Sequence, residues 1–252
     1  TTDNGLNWIQ SSYGNAGQFA SALKNFGNRL YTTNNLGYVI YTTNDGADWT
    51  NVSTPPSTAF SNYAIADTNI YYGYNSNSSG NLFKSTNSGV NWIFLTNPLT
   101  GINWRDITFI NKNIGYLVGD KSAVIKTTDG TNFNVTQSGI SSNNLIFNSV
   151  FAVDSLFVYI AGDSGSVFKS TNGGDNWLQL NSGVKDKLTK IKFLDRNTGW
   201  ITGWNGVILH TSNGGLVWVI NNNQFVHNFK LFQNYPNPFN PVTKIKFDVP
   251  SV

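Results

Sequence analysis

The chain has 252 residues, of which 14% are aromatic, 12% are charged and 24 are glycine, and it contains no cysteine and no methionine. The lack of cysteine excludes disulfides, thiolate metal sites and thiol nucleophiles. The net charge of +3 is spread thinly along the chain, which does not favour a dedicated nucleic-acid surface, and no apolar run approaches the roughly 18 residues of a membrane-spanning helix.

A turn motif recurs six times along the chain. Each copy has Ser or Thr, then Asn or Asp two positions later, then Gly and a closing aromatic residue. The glycines are 41, 43, 41, 44 and 41 residues apart. The Asn or Asp, the Gly and the aromatic residue of each copy are, in chain order, Asp3, Gly5 and Trp8; Asn44, Gly46 and Trp49; Asn87, Gly89 and Trp92; Asp129, Gly130 and Phe133; Asn172, Gly174 and Trp177; and Asn213, Gly215 and Trp218.

These residue types favour a tight hairpin turn. The hydroxyl and the Asn or Asp oxygen can accept hydrogen bonds from nearby backbone N–H groups, and Gly adopts the positive φ that such a turn needs. The aromatic residue then begins the next strand and can pack on its neighbours. The fourth copy, at 127–133, is one residue short, so we expect its turn to differ.

Three short β-rich runs precede each of the last five turn motifs, so each of these repeats predicts four antiparallel strands. Complete units can be drawn at roughly 19–53, 59–97, 105–137, 147–181 and 189–222. A four-stranded sheet cannot bury both faces alone, and about forty residues per unit is the size of a propeller blade. We therefore predict an all-β fold, a β-propeller of four-stranded antiparallel blades over 1–222.

The repeats resemble those of Asp-box (BNR-repeat) β-propellers, and the segment 197–218 is similar to Ycf48-like and sortilin-like repeats. Four copies carry Asn where that family favours Asp, but Asn can accept the same bonds. The first copy has no strands before it and is followed by a single strand at about 7–12. The chain therefore predicts five complete blades plus one partial blade. We expect a longer parent chain to supply the missing strands of a ring of six or more blades. A five-bladed ring with an unpaired first strand is the alternative.

The repeat ends near residue 222, and 223–252 has a different character. Pro236, Pro238 and Pro241 exclude helix, and Ile245 to Val249 alternate as in one half-buried strand. The stretch FQNYPNPFNPVTKIKFDVP resembles the start of the C-terminal sorting domain of type IX secretion cargo. That resemblance implies a truncated sorting domain, the type IX secretion machinery as partner, and export to the outer surface of a Gram-negative bacterium or the medium.

A ligand site is expected on the face opposite the turn motifs. That face carries the turns between second and third strands and the links between blades. The candidates there are Tyr74, Trp104, Arg105, Asp106 and Trp204, because aromatic rings beside polar groups can stack on sugars or anchor a peptide. The alternative for Trp104 and Trp204 is packing between blades.

The densest basic stretch offers a second candidate. Lys190 and Lys192 alternate with Ile191 and Phe193, so they share one strand face. That face is expected to be solvated or to line a channel, with an anion site as the alternative.

Sialidases share this fold and would need an arginine triad with a Tyr and Glu pair. The chain has only Arg29, Arg105 and Arg196, and it has no Glu. His210 precedes a turn motif and His227 lies beyond the repeats, so neither suggests a catalytic relay.

Inverting glycosidases need two carboxylates roughly 6.5–9.5 Å apart, for which Asp106 with Asp120 or Asp163 could be considered. Aspartates at turns more often bond local backbone. No catalytic residue, metal or cofactor is assigned. The sequence thus favours a secreted or cell-surface binding or structural propeller that contacts a surface protein or a glycan. A carbohydrate-active propeller and a Ycf48-like assembly factor are the alternatives.

Overall fold

The computed structural model describes residues 21–33, 39–52, 60–74, 81–142, 144–216, 219–220, 230–231 and 247–248. Regular structure in these ranges consists of short strands and two single-turn 3₁₀ helices. None of the helical segments described is long and apolar enough to span a membrane. The chain divides into two compact units, 1–220 and 221–252.

The first unit contains five sheets, each of four consecutive antiparallel strands in sequence order. These sheets are called blades 1 to 5. Blade 1 comprises β1 (Ser21–Phe26), β2 (Arg29–Thr33), β3 (Val39–Thr42) and β4 (Thr50–Asn51). Blade 2 comprises β5 (Asn62–Ile65), β6 (Tyr71–Tyr74), β7 (Leu82–Ser85) and β8 (Ile93–Leu95). Blade 3 comprises β9 (Trp104–Phe109), β10 (Gly115–Gly119), β11 (Val124–Thr127) and β12 (Phe133–Val135). Blade 4 comprises β13 (Phe147–Ala152), β14 (Val158–Gly162), β15 (Val167–Ser170) and β16 (Leu178–Leu180). Blade 5 comprises β17 (Leu188–Phe193), β18 (Gly199–Gly203), β19 (Ile208–Thr211) and β20 (Val219–Ile220).

The five blades form a ring around one channel. The first strand of every blade lines it, through residues that include Lys24, Ala64, Asp106, Val150 and Lys190. The all-β propeller prediction is confirmed, but the expectation of six or more blades is wrong. The number of blades is set by packing between sheets that are far apart in sequence, which a count of turn motifs does not capture. The partial blade predicted from the first copy, with Asp3, Gly5 and Trp8, lies outside the described residues.

Four apolar clusters of described residues join blades 1 and 2, 2 and 3, 3 and 4, and 4 and 5. Within them Tyr72 of blade 2 stacks on Phe109 of blade 3 at 3.8 Å between ring centroids, and Tyr159 stacks on Phe193 in the same way at 3.8 Å. These face-to-face ring contacts bury large apolar surfaces between neighbouring blades.

Tyrosines of the second strands also bond the turn motif of the next blade. The hydroxyl of Tyr72 donates to Gly130 O at 2.8 Å, and Tyr116, at the equivalent place in blade 3, donates to Gly173 O at 2.9 Å. Since both hydroxyls are buried, each bond satisfies a donor and an acceptor that water cannot reach.

Each described turn motif is closed by its own side chains. In the second copy Thr42 Oγ1 accepts the N–H of Gly46 at 3.0 Å, and Asn44 Oδ1 accepts the N–H of Asp48 at 2.9 Å. Equivalent bonds, in which a glycine N–H donates to the hydroxyl oxygen at 2.8 to 3.0 Å, close the copies that contain Asn87, Asn172 and Asn213. Asn therefore makes the acceptor bonds expected of Asp. Trp218 lies outside the described residues.

The fourth turn motif has a different geometry because it is one residue shorter. Thr127 Oγ1 accepts the N–H of Gly130, three residues on, at 2.9 Å. Asp129 Oδ1 accepts the N–H groups of both Thr131 and Asn132 at 2.8 Å. These bonds hold the pKa of the Asp129 carboxyl well below its usual range, and the bonds from Asn132 have the largest effect.

In the second unit, β21 (Lys230–Leu231) pairs antiparallel with β22 (Phe247–Asp248). The strand expected at 245–249 thus has a partner over two residues. The proline-rich stretch and His227 lie outside the described residues, so the sorting domain stays a prediction.

Candidate ligand-binding face

Bulges in the first strands of three blades build the candidate site. In blade 3, Trp104 pairs with Gly119 and Asp106 pairs with Val118, which leaves Arg105 unmatched. The same irregularity leaves Asn148 unmatched in blade 4 and Thr189 unmatched in blade 5. Because a bulge bends the strand and redirects a side chain, three consecutive blades place an extra polar side chain at the same end of the channel.

A glycine opposite each bulge allows the inter-blade link to approach. A Cβ on Gly119, Gly162 or Gly203 would lie 2.7, 2.2 or 2.6 Å from a backbone carbonyl oxygen of the link. In each blade the next residue along donates its N–H to that same carbonyl oxygen, at 3.2, 2.9 and 2.8 Å. These glycines therefore fix where the link enters the first strand.

The bulged residues line a cavity of about 540 Å³ at the end of the channel, called the mouth cavity. Its described lining residues are Ser61, Tyr74, Asn103, Trp104, Arg105, Asn148, Lys187 and Thr189. Two of them are cationic, none is a carboxylate, and the rest offer amides, hydroxyls and aromatic edges. The lining is therefore suited to a polar or anionic ligand.

Two aspartates hold parts of this lining in place from behind. Asp120 accepts from the backbone N–H of Asn103 at 2.9 Å and from its side-chain amide at 2.7 Å. Asp163 accepts from the Asn148 amide at 2.6 Å and lies 3.6 Å from Lys187 Nζ. Their carboxylates are thus occupied as local acceptors, and they orient the lining amides.

Three of the five residues predicted for this face line the mouth cavity, namely Tyr74, Trp104 and Arg105. Trp104 is only 1% exposed and packs in the apolar cluster between blades 2 and 3, yet its Nε1 has no hydrogen-bond partner among the described residues. Burial first, and then the Asp106 charge, raise the pKa of Tyr74 well above its ordinary value, so that it stays a neutral phenol. Arg105 is exposed and forms no ion pair within the described part of the chain.

Asp106 lies in the channel below the mouth cavity and is almost fully buried. Its Oδ2 accepts from Ser149 Oγ at 2.8 Å, Val150 N at 3.1 Å and Lys190 Nζ at 2.8 Å. Its Oδ1 accepts from the Asn62 amide at 3.1 Å and from its neighbour's backbone N–H at 3.1 Å. One carboxylate thereby ties together blades 2, 3, 4 and 5.

Trp204, the fifth predicted residue, lies at the rim and does not line the mouth cavity. It is 61% exposed, and Lys187 Nζ lies 5.1 Å from its ring centroid. Such a ring can extend a binding surface outward from the cavity.

Within the described part of the chain, the arginine triad considered for a sialidase is not assembled. Arg29 and Arg196 lie at the turns between first and second strands, and Arg196 Nε pairs with Asp154 at 2.6 Å. Arg105 is at the opposite end, so the arginines do not converge. The His210 ring packs against the Trp200 ring, with 5.0 Å between the ring centroids.

Sequence reasoning missed Asn103, Asn148, Lys187 and Thr189. The signal available was the recurring glycine at the end of the second strand in blades 3, 4 and 5. It marks the place where the link passes close to the strand, but it does not show that the opposing first strand is bulged.

Residues 92–185 match the family model described as photosynthesis system II assembly factor YCF48. The solved structure of YCF48 bound to D1 peptide is 20% identical, with 84% of this chain and 71% of that chain covered and a TM-score of 0.69. YCF48 from Cyanidioschyzon merolae is 17% identical, with 86% and 76% covered and a TM-score of 0.69. The Niastella koreensis GH74 enzyme is 18% identical, with 77% of this chain and 36% of that enzyme covered and a TM-score of 0.58. The curated proteins searched gave no significant match.

These identities show a shared propeller fold. They carry no residue of a site from one chain to the other.

Proposed function

We propose that the protein is a non-catalytic binding propeller whose mouth cavity takes an acidic peptide segment of a partner protein. The observation that carries this proposal is the charge of the lining. Arg105 and Lys187 bring two cations to a cavity whose described lining contains no carboxylate, and Arg105 has no ion-pair partner in the described ranges. An incoming carboxylate would supply the missing acceptor for the Arg105 guanidinium.

Preorientation of the lining amides also supports a peptide. The Asn103 and Asn148 amides are already oriented by aspartates, so binding would require little side-chain ordering.

The fold neighbours support a role in assembly. One of the similar structures is YCF48 with a D1 peptide bound, and part of the present chain matches the YCF48 family model. A propeller that holds a segment of another protein could act as an assembly factor in the same general sense. The YPNPFNP stretch motivates the additional proposal that this role is exercised after export by type IX secretion, at the cell surface.

The test is equilibrium binding of labelled peptides of one length that differ in charge. Acidic peptides should bind more tightly than neutral or basic ones. Arg105→Gln should weaken binding by about 10- to 150-fold, since a hydrogen bond to a charged group contributes about 1.5–3 kcal/mol. Lys187→Gln should act in the same direction. Lys112→Gln is the matched control because Lys112 is exposed at a turn between first and second strands, away from the cavity. Equal binding of all peptides, or an unchanged affinity in Arg105→Gln, would refute the proposal.

Glycan binding is the second candidate, and the exposed Trp204 at the rim favours it. A glycan array and a parallel hydrolysis assay separate it from peptide binding. Hydrolysis through Asp106 is disfavoured because both of its oxygens accept bonds from several donors, including Lys190. Turnover that disappears in a folded Asp106→Asn variant would overturn the non-catalytic proposal.

A further inference from the structure

The channel below the mouth cavity has an unbalanced charge. It has a volume of about 440 Å³, and its described lining includes Lys24, Asp106, Lys190 and Lys192. These are the ionisable groups among the lining residues described. Three ammonium groups from blades 1 and 5 therefore share the channel with one carboxylate from blade 3.

The single carboxylate is committed to one of the three lysines. Lys190 Nζ lies 2.8 Å from Asp106 Oδ2. Lys24 donates to the backbone carbonyl of Tyr63 and lies 5.0 Å from that residue's ring centroid. Lys192 Nζ lies 5.0 Å from the Phe151 ring centroid. Within the described part of the chain neither Lys24 nor Lys192 has a carboxylate at ion-pair distance.

Electrostatics agree with this geometry. Burial is the main cause that lowers the pKa of Lys24 to about 8; the Asp106 charge opposes this shift, and the charges of Lys190 and Lys192 contribute to it. Burial and the Lys190 charge likewise lower the pKa of Lys192. The channel therefore disfavours its own positive charges, which a bound anion would relieve.

We infer that the channel binds a small oxyanion of the size of phosphate or sulfate, held between the Lys24 and Lys192 ammonium groups. Its volume accommodates such an ion with several waters, since a water occupies about 30 Å³ of liquid volume. The inference is independent of the proposed function, because the channel lysines are not lining residues of the mouth cavity.

Sulfate is the probe for the first experiment, since its charge does not change between pH 6 and 10. Calorimetric titration at constant ionic strength, with chloride as the balancing ion, should show saturable sulfate binding by the wild-type chain. Lys192→Gln should weaken the affinity at least tenfold, and Lys112→Gln should leave it unchanged. Raising the pH from 7 to 9.5 should weaken binding because Lys24 loses its proton in this range. The Lys24→Gln variant should show a weak affinity at both pH values.

A second arm distinguishes a free ion from the carboxylate of a bound peptide. Arg105→Gln should leave sulfate affinity unchanged although it weakens peptide binding. Sulfate binding that depends on Arg105 and not on Lys192 would place the anion in the mouth cavity and overturn the inference. No saturable binding by wild type up to about tenfold physiological anion levels, or equal binding by wild type and a folded Lys192→Gln variant, would also overturn it.

Discussion

Replacing Asp106 with Asn removes a single charge from the centre of the ring while keeping the side-chain shape. The Asn oxygen can still accept from Asn62 and from the adjacent backbone N–H. The other end of the side chain then presents an NH₂ group to the Val150 N–H and the Lys190 ammonium, both of which donate to Asp106 Oδ2 in the wild type. Donors would face donors, so these bonds are lost without replacement.

The size of the effect follows from the burial of the partners. Loss of an acceptor for the buried Val150 N–H costs about 1–3 kcal/mol. Breaking a buried ion pair costs about 3–5 kcal/mol, but the Lys190 side chain is 48% exposed, so only part of that cost applies. We therefore expect Asp106→Asn to lower the free energy of unfolding by about 2–4 kcal/mol. For a chain of this size that corresponds to a fall in Tm of roughly 4–16 °C.

Urea unfolding followed by tryptophan fluorescence, with a thermal scan, measures this change. Asp45→Asn is the matched control, because Asp45 is exposed and Asn tolerates its positive φ of 55°. The control should stay within about 0.5 kcal/mol of wild type. A double-mutant cycle with Lys190→Gln should show a coupling of about 0.5–3 kcal/mol. An Asp106→Asn variant as stable as the control would refute the role of Asp106 as the link between blades.

Three further predictions concern the ring and its channel. Tyr116→Phe removes the bond to Gly173 O and should lower the free energy of unfolding by about 1–2 kcal/mol in urea unfolding, whereas no change would show that the inter-blade bond is not stabilising. Gly27→Ala should lower the free energy of unfolding by about 1–2 kcal/mol, and Gly130→Ala should lower it by more. Both glycines have positive φ, but of the two only a Cβ at Gly130 meets a backbone oxygen, at 2.3 Å. Equal losses in the two variants would contradict this reasoning. Lys24 titrates near pH 8 in the folded state and near its ordinary 10.5 in the unfolded state, so the unfolded state binds more protons between these values. Urea unfolding should therefore show that the free energy of unfolding rises from pH 8 to 9.5 in wild type, and rises less in Lys24→Gln. Parallel pH profiles for the two proteins would count against the depressed pKa.

The turn motifs and the blade boundaries could be predicted from the sequence because their determinants are local. Thr42, Asn44 and Gly46 lie within five residues, and their side chains close the turn that they encode. Strand alternation and the interval between motifs then place four strands in each repeat.

The centre of the ring could not be predicted in the same way. Asp106 bonds Asn62, Ser149 and Lys190, which lie in three other blades and carry no shared local pattern. The sequence suggested that Asp106 contacts a ligand at the surface. In the structure its carboxylate is buried in the channel and accepts hydrogen bonds from other blades. Bulges such as the one that frees Arg105 depend on how the first and second strands pair, which strand propensity does not show.

A crystal structure of the protein with an acidic peptide bound tests the central claim most directly. The account predicts peptide density in the mouth cavity, with a peptide carboxylate against the Arg105 guanidinium and Lys187 nearby. Peptide density on the opposite face, for instance in the groove of about 380 Å³ beside Lys126 and Asp175, with the mouth cavity empty of peptide, would contradict it.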